Sequence, residues 1–233
     1  MGKEIIYKDL GVIPYTEAWD LQTKLFEEVV ERKLTNRKLE VEEQQEQFHY
    51  LLFCEHPHVY TLGRNGKEAH LLLNEATLSQ KNATFHKINR GGDITYHGYG
   101  QLVGYPILDL DEFFTDIGRY VRLLEEAIIR MLAEYQIVGE RIKGLSGVWI
   151  GVGTNNPRKI CAVGVHLSRW TTMHGFALNV NTDLTYFRHI VPCGIDDKAV
   201  TSMEQELGQV VDLDEVKEQL KRHFADLFEA NYK

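Results

Sequence analysis

A cysteine at position 193 stands between a proline and a glycine in the run Ile190-Val191-Pro192-Cys193-Gly194-Ile195. Proline stiffens the backbone before the sulfur, and glycine permits an unusual turn with free space beside it. That presentation suits a nucleophile. Most free cysteines, however, are small buried hydrophobes, so the local sequence leaves the two interpretations of Cys193 equally balanced.

A reactive thiol needs a group that stabilises its thiolate, because an unperturbed cysteine has a pKa of about 8.5. Lys159 opens the apolar run Ile160-Cys161-Ala162-Val163. An ammonium about 4 Å from the sulfur contributes at most roughly 4 kcal/mol at an effective dielectric constant of about 20, which is about three pKa units. The alternative is a solvated lysine at a strand end, which is the commoner case.

Residues 90–101 carry four glycines between two strand patterns, together with Arg90, Tyr96 and His97. Glycines let the backbone approach a ligand, and free N–H groups in such a loop can bind an oxyanion, a phosphate or a carbonyl. The alternative is a tight turn between strands, but the hydrogen-bonding side chains favour a site. No Gly-Lys-Ser/Thr triplet follows, so the segment is not a phosphate-binding P-loop.

The remaining cysteines and histidines indicate neither disulfides nor a metal. Cys54 and Cys161 lie in apolar strand patterns, where we expect them to be buried and inert. Three scattered cysteines do not make a disulfide framework. His56-Pro57-His58 has no further ligands at a recognisable spacing, and His189 has only Cys193. We therefore predict no metal site.

The apolar periodicity predicts helices at 16–34, 117–135 and 213–228, with Thr16 and Asp116 as the caps of the first two. Strands alternate with turns between them, and residues 154–157 are predicted to form a hairpin tip. We expect a single domain over residues 1–233 of α+β class, with a mixed central sheet flanked by helices. Strands are predicted at 48–54, 59–62, 84–89, 101–108, 147–152, 159–166 and 172–180.

The chain begins without the apolar core of a signal peptide, and no run of about 18 apolar residues occurs. These features predict a cytoplasmic protein that does not enter a membrane. The formal net charge is −8, from 26 basic and 34 acidic residues. A nucleic-acid binder usually has a basic surplus, so the balance argues against nucleic acid as a partner.

Taken in order, these segments resemble the octanoyltransferases, also called lipoyl(octanoyl) transferases or lipoate-protein ligase B. The resemblance covers most of residues 50–205. It departs at Tyr99, where the family usually has proline. The matching motifs are Tyr60-Thr61-Leu62-Gly63-Arg64, Arg90-Gly91-Gly92, Thr95-Tyr96-His97-Gly98, Gly100-Gln101-Leu102-Val103, Tyr105-Pro106, Lys159-Ile160, Gly164, His174-Gly175-Phe176-Ala177-Leu178-Asn179-Val180-Asn181, Pro192-Cys193-Gly194 and Thr201-Ser202.

The resemblance implies the catalytic-domain fold of biotin and lipoate ligases. It also implies transfer of octanoyl, without ATP, from the phosphopantetheine thioester of acyl carrier protein to a lysine of a lipoyl domain. Acceptors would be lipoyl domains of 2-oxoacid dehydrogenase complexes or the glycine cleavage H protein, with no cofactor bound to the enzyme itself. Cys193 would form the acyl thioester, and Lys159 would lower its pKa and carry protons. The acyl pocket would be lined by Arg90, Gly91, Gly92, Asp93, Ile94, Thr95, Tyr96, His97, Ala162, Val163, Gly164, Gly175, Phe176 and Ala177.

Two other functions stay open. One is an ATP-dependent lipoate or biotin ligase of the same fold, which would need no cysteine at position 193. The other is a non-catalytic binder of lipoyl domains or carrier proteins, which would need neither Lys159 nor Cys193. Gly175 and Ala177 also have two interpretations, since small residues leave room for a linear acyl chain or allow two backbones to pack closely.

The net charge is distributed unevenly. Residues 141–200 hold seven basic and three acidic residues, a net +4, so the rest of the chain carries −12. Carrier proteins and lipoyl domains are typically acidic. The basic segment therefore suggests electrostatic steering of both toward Lys159 and Cys193, weakened by salt.

Overall fold

A computed structural model describes residues 3–191 and 199–233. Five α-helices lie in these two ranges. Residues 41–43, 68–70, 110–112 and 184–189 form short 3-10 helices. No helix in the described part has the length and apolar composition needed to cross a bilayer. The α-helices are α1 (Tyr15–Asn36), α2 (Glu75–Gln80), α3 (Ile117–Glu134), α4 (Met203–Leu207) and α5 (Leu213–Phe228).

The strands form two sheets. Within the described ranges, nine strands make a mixed sheet in the order β12-β1-β2-β6-β10-β9-β8-β7, with β11 pairing parallel to the start of β9. Three others form a small sheet in the order β4-β3-β5. Their bounds are β1 (Lys3–Val12), β2 (Tyr50–Glu55), β3 (Val59–Leu62), β4 (Thr84–Lys87), β5 (Ile94–His97), β6 (Gln101–Ile107), β7 (Gly139–Glu140), β8 (Val148–Ile150), β9 (Arg158–Ser168), β10 (Thr171–Asn179), β11 (Ala199–Val200) and β12 (Ala230–Tyr232).

Helices cover both faces of the large sheet. On one face α1 packs Ala18 and Val29 against β2 and β6. On the other face α3 and α5 contribute Leu124, Ile128 and Phe224. Because both faces are covered, every residue of β6 and β10 is buried. The predicted class, a mixed sheet flanked by helices, is confirmed.

The helix ends show where local signals decide the structure. Asp116 caps α3 as predicted, since its carboxylate accepts from the N–H of Arg119 at 2.8 Å. The Thr16 cap was wrong, because α1 begins one residue earlier, at Tyr15. Pro14 holds the extended conformation before the first turn, and no side chain caps that end.

Several strands have no clear sequence signature. β1 buries only Ile5 among its ten residues, so its apolar alternation is weak. It forms because it pairs in parallel with both β2 and β12. β5 lies inside the glycine-rich segment, and β7, β11 and β12 have only two or three residues each. By contrast, residues 154–157 do lie in the hairpin between β8 and β9.

A buried ion pair fastens α1 to the chain that follows β6. The ammonium of Lys33 lies 2.5 Å from Asp109 and 2.6 Å from Asp111, and it also donates to the carbonyl of Arg169 at 2.7 Å. The side chains of Lys33 and Asp109 are only 4% and 3% exposed. Removal of one partner would leave a buried charge unpaired.

We therefore expect Lys33→Met to lower the free energy of unfolding by about 3–5 kcal/mol in urea denaturation. Lys87→Met is the matched control, because its ion pair with Glu68 is 61% and 70% exposed, and we expect a loss below about 1 kcal/mol. Equal losses in the two variants would contradict a structural role for the Lys33 pair.

Candidate active site

A cavity of about 300 Å³ lies between the glycine-rich segment and the β9, β10 and β6 region of the large sheet. This volume is at the lower end for small-molecule sites. The cavity brings together segments that are far apart in sequence. The residues predicted from sequence that line it are Arg90, Gly91, Gly92, Asp93, Ile94, Thr95, His97, Lys159, Ala162, Val163, Gly164, Gly175, Phe176 and Ala177.

Tyr96 is the exception among the predicted pocket residues. Thr95 and His97, the neighbours of Tyr96 on β5, line the cavity, whereas Tyr96 does not. Its hydroxyl lies 2.7 Å from Nδ1 of His58, and its ring stacks on Tyr186 with centroids 4.9 Å apart. Tyr96 belongs to the aromatic core of the small sheet and is not among the described residues that line this cavity.

Small side chains from adjacent strands form the floor of the cavity. Ala177 on β10 is in register with Ala162 on β9 and with Val103 on β6. Paired residues on neighbouring strands share a face, and all three line the cavity. The result is an apolar row that crosses three strands.

Gly175 is needed for packing between strands. A Cβ at this position would lie 2.2 Å from the carbonyl oxygen of Gly104 and 2.7 Å from Cδ of Pro106. The missing side chain is therefore required by the neighbouring strand. Of the two interpretations of Gly175, the structure supports close packing of backbones, although the residue also borders the cavity.

A β-bulge turns Lys159 toward the cavity. Val148 pairs with Cys161 and Trp149 pairs with Lys159, so Ile160 is an extra residue on β9. The bulge reverses the alternation, which leaves Ile160 in the core and places Lys159 on the face of Ala162. The ammonium lies 4.7 Å from the ring centroid of Trp149, a cation–π contact.

Cys193, Pro192 and Gly194 lie outside the described residues, so the contact between Cys193 and Lys159 stays a prediction. The chain on either side is described. The N–H of Val191 donates to the carbonyl of His70 at 2.9 Å. After residue 198, Val200 pairs with Lys159, and the Thr201 N–H donates to the Lys159 carbonyl at 2.9 Å.

Arg90 fixes the glycine-rich loop to β3. One guanidinium nitrogen donates to the carbonyl and the hydroxyl of Thr61 at 2.8 and 3.1 Å, and the other donates to the carbonyl of Gly91. The N–H of Gly91 donates to the carbonyl of Val165 at 2.9 Å. The expectation that this loop offers free N–H groups therefore fails at Gly91, whose N–H ties the loop to β9.

Two buried histidines border the cavity in neutral form. Burial lowers the pKa of His97 far below its usual range, and Nδ1 donates to Oε1 of Gln101 at 2.7 Å. Burial, and then the charge of Arg90, lower the pKa of His174 to about 3. Nε2 of His174 lies 2.9 Å from Oδ1 of Asn89. Both rings are hydrogen-bonded to amide oxygens. This arrangement suits a role in positioning neighbouring groups better than a role in proton transfer.

A chain of amides links His97 to the strand beside Lys159. Gln101 donates from Nε2 to Oδ1 of Asn179 at 2.9 Å, and Asn179 donates from Nδ2 to the carbonyl of Thr201 at 3.0 Å. The sequence motifs contain Gln101 and Asn179, but the motifs alone assigned them no role. The side chains that line the cavity without having been predicted include Tyr15, Gln101, Val103, Tyr105, Ser146, Trp149, His174, Asn179, Phe187 and Val200.

The other cysteines and histidines have structural positions. Cys54 and Cys161 are fully buried, as predicted, and burial raises the pKa of each thiol. His56 contacts the carbonyl of Ile13 and the hydroxyl of Tyr105 with its two ring nitrogens. Within residues 3–191 and 199–233, no three or more His, Cys, Asp or Glu side chains are grouped as a metal site would require.

Comparison with known proteins gives the family. Residues 14–225 match the model of the lipoyl protein ligase A/B catalytic domain. An octanoyltransferase of Cytophaga hutchinsonii is 60% identical over 98% of this chain and 94% of its own length. One from Bacteroides thetaiotaomicron is 52% identical over 91% and 90% of the two chains. The chain belongs to the octanoyltransferase family. Its members are acyltransferases, as the motifs predicted.

Solved structures of the same fold are more distant in sequence. A bipartite lipoate protein ligase of Thermoplasma acidophilum aligns with a TM-score of 0.69 at 18% identity, over all of this chain and 85% of that one. A lipoate-protein ligase A bound with ATP aligns with a TM-score of 0.67 at 18% identity, over 100% and 88%. These likenesses confirm the predicted ligase-type fold.

The neutral histidines predict how the stability of the protein depends on pH. His56, whose pKa burial lowers to about 4, joins His97 and His174 in resisting protonation when folded. The unfolded chain protonates the same residues near pH 6.5, so the folded state loses stability as pH falls below 6.5. Each histidine contributes a slope of up to about 1.4 kcal/mol per pH unit.

Urea denaturation between pH 5 and 8 measures this slope. We expect a flat histidine contribution above pH 7, and a loss between pH 6.5 and 5 of up to roughly 4 kcal/mol per pH unit for the three together. His174→Gln should reduce that slope by up to about 1.4 kcal/mol per pH unit, whatever its effect on stability at pH 7. An unchanged slope in the variant would show that His174 takes up a proton in the folded protein.

Proposed function

We propose that the protein transfers an octanoyl group from the phosphopantetheine thioester of acyl carrier protein to a lysine of a lipoyl domain, through a thioester on Cys193. One observation carries this proposal. The cavity joins an apolar floor, made by Ala162, Ala177 and Val103, to the ammonium of Lys159. An acyl chain fits the first part, and a thioester reaction at Cys193 needs the second.

In the first half of the proposed reaction, the thiolate of Cys193 attacks the carbonyl carbon of the octanoyl thioester. The bond to the pantetheine sulfur breaks, and the leaving thiolate takes a proton from the Lys159 ammonium. One thioester replaces another, so the step is nearly isoenergetic and needs no ATP. The positive charge of Lys159 favours the thiolate before attack.

In the second half, the amine of the acceptor lysine attacks the acyl thioester on Cys193. Lys159, now neutral, accepts the proton that the attacking amine loses. The carbon–sulfur bond breaks, an amide remains on the acceptor, and the thiolate of Cys193 is restored beside a protonated Lys159. Formation of the amide makes the overall transfer favourable.

Lipoyl domains are the proposed acceptors, in 2-oxoacid dehydrogenase complexes or the glycine cleavage H protein. The Thermoplasma neighbour is described together with its E2 lipoyl domain, which supports an acceptor of this kind. The phosphopantetheine of the proposed donor belongs to the carrier protein, so the enzyme itself needs no cofactor. Comparison with relatives named octanoyltransferase favours transfer over ATP-dependent ligation.

The first test incubates the protein with octanoyl-acyl carrier protein and no ATP, followed by intact mass spectrometry. We expect one octanoyl adduct on the wild type and none on Cys193→Ser, because a hydroxyl is a far weaker nucleophile. An adduct or product that requires ATP and free octanoate would indicate a ligase instead. Absence of any acylation in the wild type would refute the thioester route.

The second test concerns Lys159. We expect Lys159→Ala to slow acylation about 100-fold and to raise the pKa of the Cys193 thiol, measured from the pH dependence of alkylation. Lys143→Ala is the matched control, because Lys143 is exposed in the same basic segment and is not part of the cavity. Identical alkylation profiles in wild type and Lys159→Ala would contradict the role given to this lysine.

A further inference from the structure

The floor of the cavity has a defined end. It crosses β9 at Ala162, β10 at Ala177 and β6 at Val103. The next strand is β2, where Cys54 is in register with Val103. Among the described residues, none from β2 lines the cavity, and Cys54 is fully buried behind it. The cavity thus spans three strands and stops before the fourth.

Hydrogen-bonded aromatic side chains build the end wall. The hydroxyl of Tyr105 lies 2.7 Å from Nε2 of His56. The ring of Tyr15 packs on His56 at 5.2 Å and stacks on His97 at 6.0 Å. These rings contact one another through a hydrogen bond and through close packing. The end wall therefore cannot move away from the cavity without breaking a buried hydrogen bond.

The strand spacing gives the length of this floor. Neighbouring strands lie about 4.8 Å apart, so the two steps from β9 to β6 cover about 10 Å. An extended hydrocarbon chain advances about 1.25 Å per carbon–carbon bond, so the seven bonds of an octanoyl group span roughly 9 Å and the nine bonds of a decanoyl group roughly 11 Å. An acyl chain whose carbonyl lies over β9 therefore ends over β6, above Val103. Two more methylenes would run into the end wall.

We propose that Val103 and Ala177 set the length of the acyl chain at eight carbons. This inference rests on the proposed acyl transfer and adds the feature that selects the substrate. Val103 lies under the terminal carbons and Ala177 under the middle of the chain. Both side chains project from a sheet backbone that is fixed by pairing on both sides, so their size directly sets the depth of the cavity.

The test is a competition in which wild type and variants receive equal amounts of hexanoyl-, octanoyl- and decanoyl-acyl carrier protein and a lipoyl domain. The acylated lipoyl domain is then weighed by mass spectrometry, which reports all three products in one spectrum. For the wild type we expect octanoyl to exceed each competitor by about tenfold, since one or two methylenes in an apolar pocket are worth at least that much.

The two substitutions should move the preference in opposite directions. Val103→Ala deepens the end of the floor, and we expect the ratio of decanoyl to octanoyl product to rise about tenfold. Ala177→Val fills the middle, and we expect the ratio of hexanoyl to octanoyl product to rise about tenfold. If Val103→Ala does not fold, Ala177→Val decides the question alone.

Leu102→Val is the matched control. Leu102 is the neighbour of Val103 on β6, but its side chain lies in the core on the opposite face of the sheet, so its product ratios should equal those of the wild type. Acylation by every variant with unchanged ratios would overturn the inference and leave the transferase function standing. A wild type that acylates no lipoyl domain from any of the three donors would refute the proposed function itself.

Discussion

The bulge at Ile160 is the constraint on which the chemistry of the cavity depends. Without the extra residue, strict alternation along β9 would put Ile160 beside Ala162 and turn Lys159 into the core. A lysine there would be buried among apolar side chains at a high cost in free energy. Because of the bulge, β9 supplies both the apolar floor at Ala162 and a positive charge at Lys159.

Hydrogen bonds from buried polar groups fix the wall of the cavity that faces the large sheet, which the glycine-rich segment forms. Arg90 is 9% exposed, yet its guanidinium donates to three oxygens of β3 and the loop. His97 is held between Thr61 and Gln101, and Gln101 continues through Asn179 to the strand beside Lys159. The neutral imidazoles avoid a second buried charge near Arg90. The polar residues of the motifs therefore shape and stiffen the cavity as well as border it.

Local features of the fold were predictable from the sequence, and features set by strand register were not. α3 follows from its own periodicity and from Asp116, which caps its first turn. β1 and β12 pair Lys3 with Ala230, and no local pattern reports a partner more than 200 residues away. The same limit applies within the site. The segments around Arg90, Ala162 and Gly175 do meet at one cavity, but the direction of Tyr96 and the packing role of Gly175 depend on neighbours that only the folded sheet supplies.

Register also changes what the charge distribution means. The net +4 of residues 141–200 assumes that their basic groups face outward, yet Arg141 pairs with Glu125 and Glu126, and Arg158 pairs with Glu206. These three carboxylates come from helices outside residues 141–200. They therefore neutralise locally much of the positive charge that this segment carries. Lys159 is directed to the cavity, over Trp149. Any steering of acidic partners thus depends on fewer exposed cations than the sequence suggests, and the charge of Lys159 acts mainly at short range, on groups that enter the cavity.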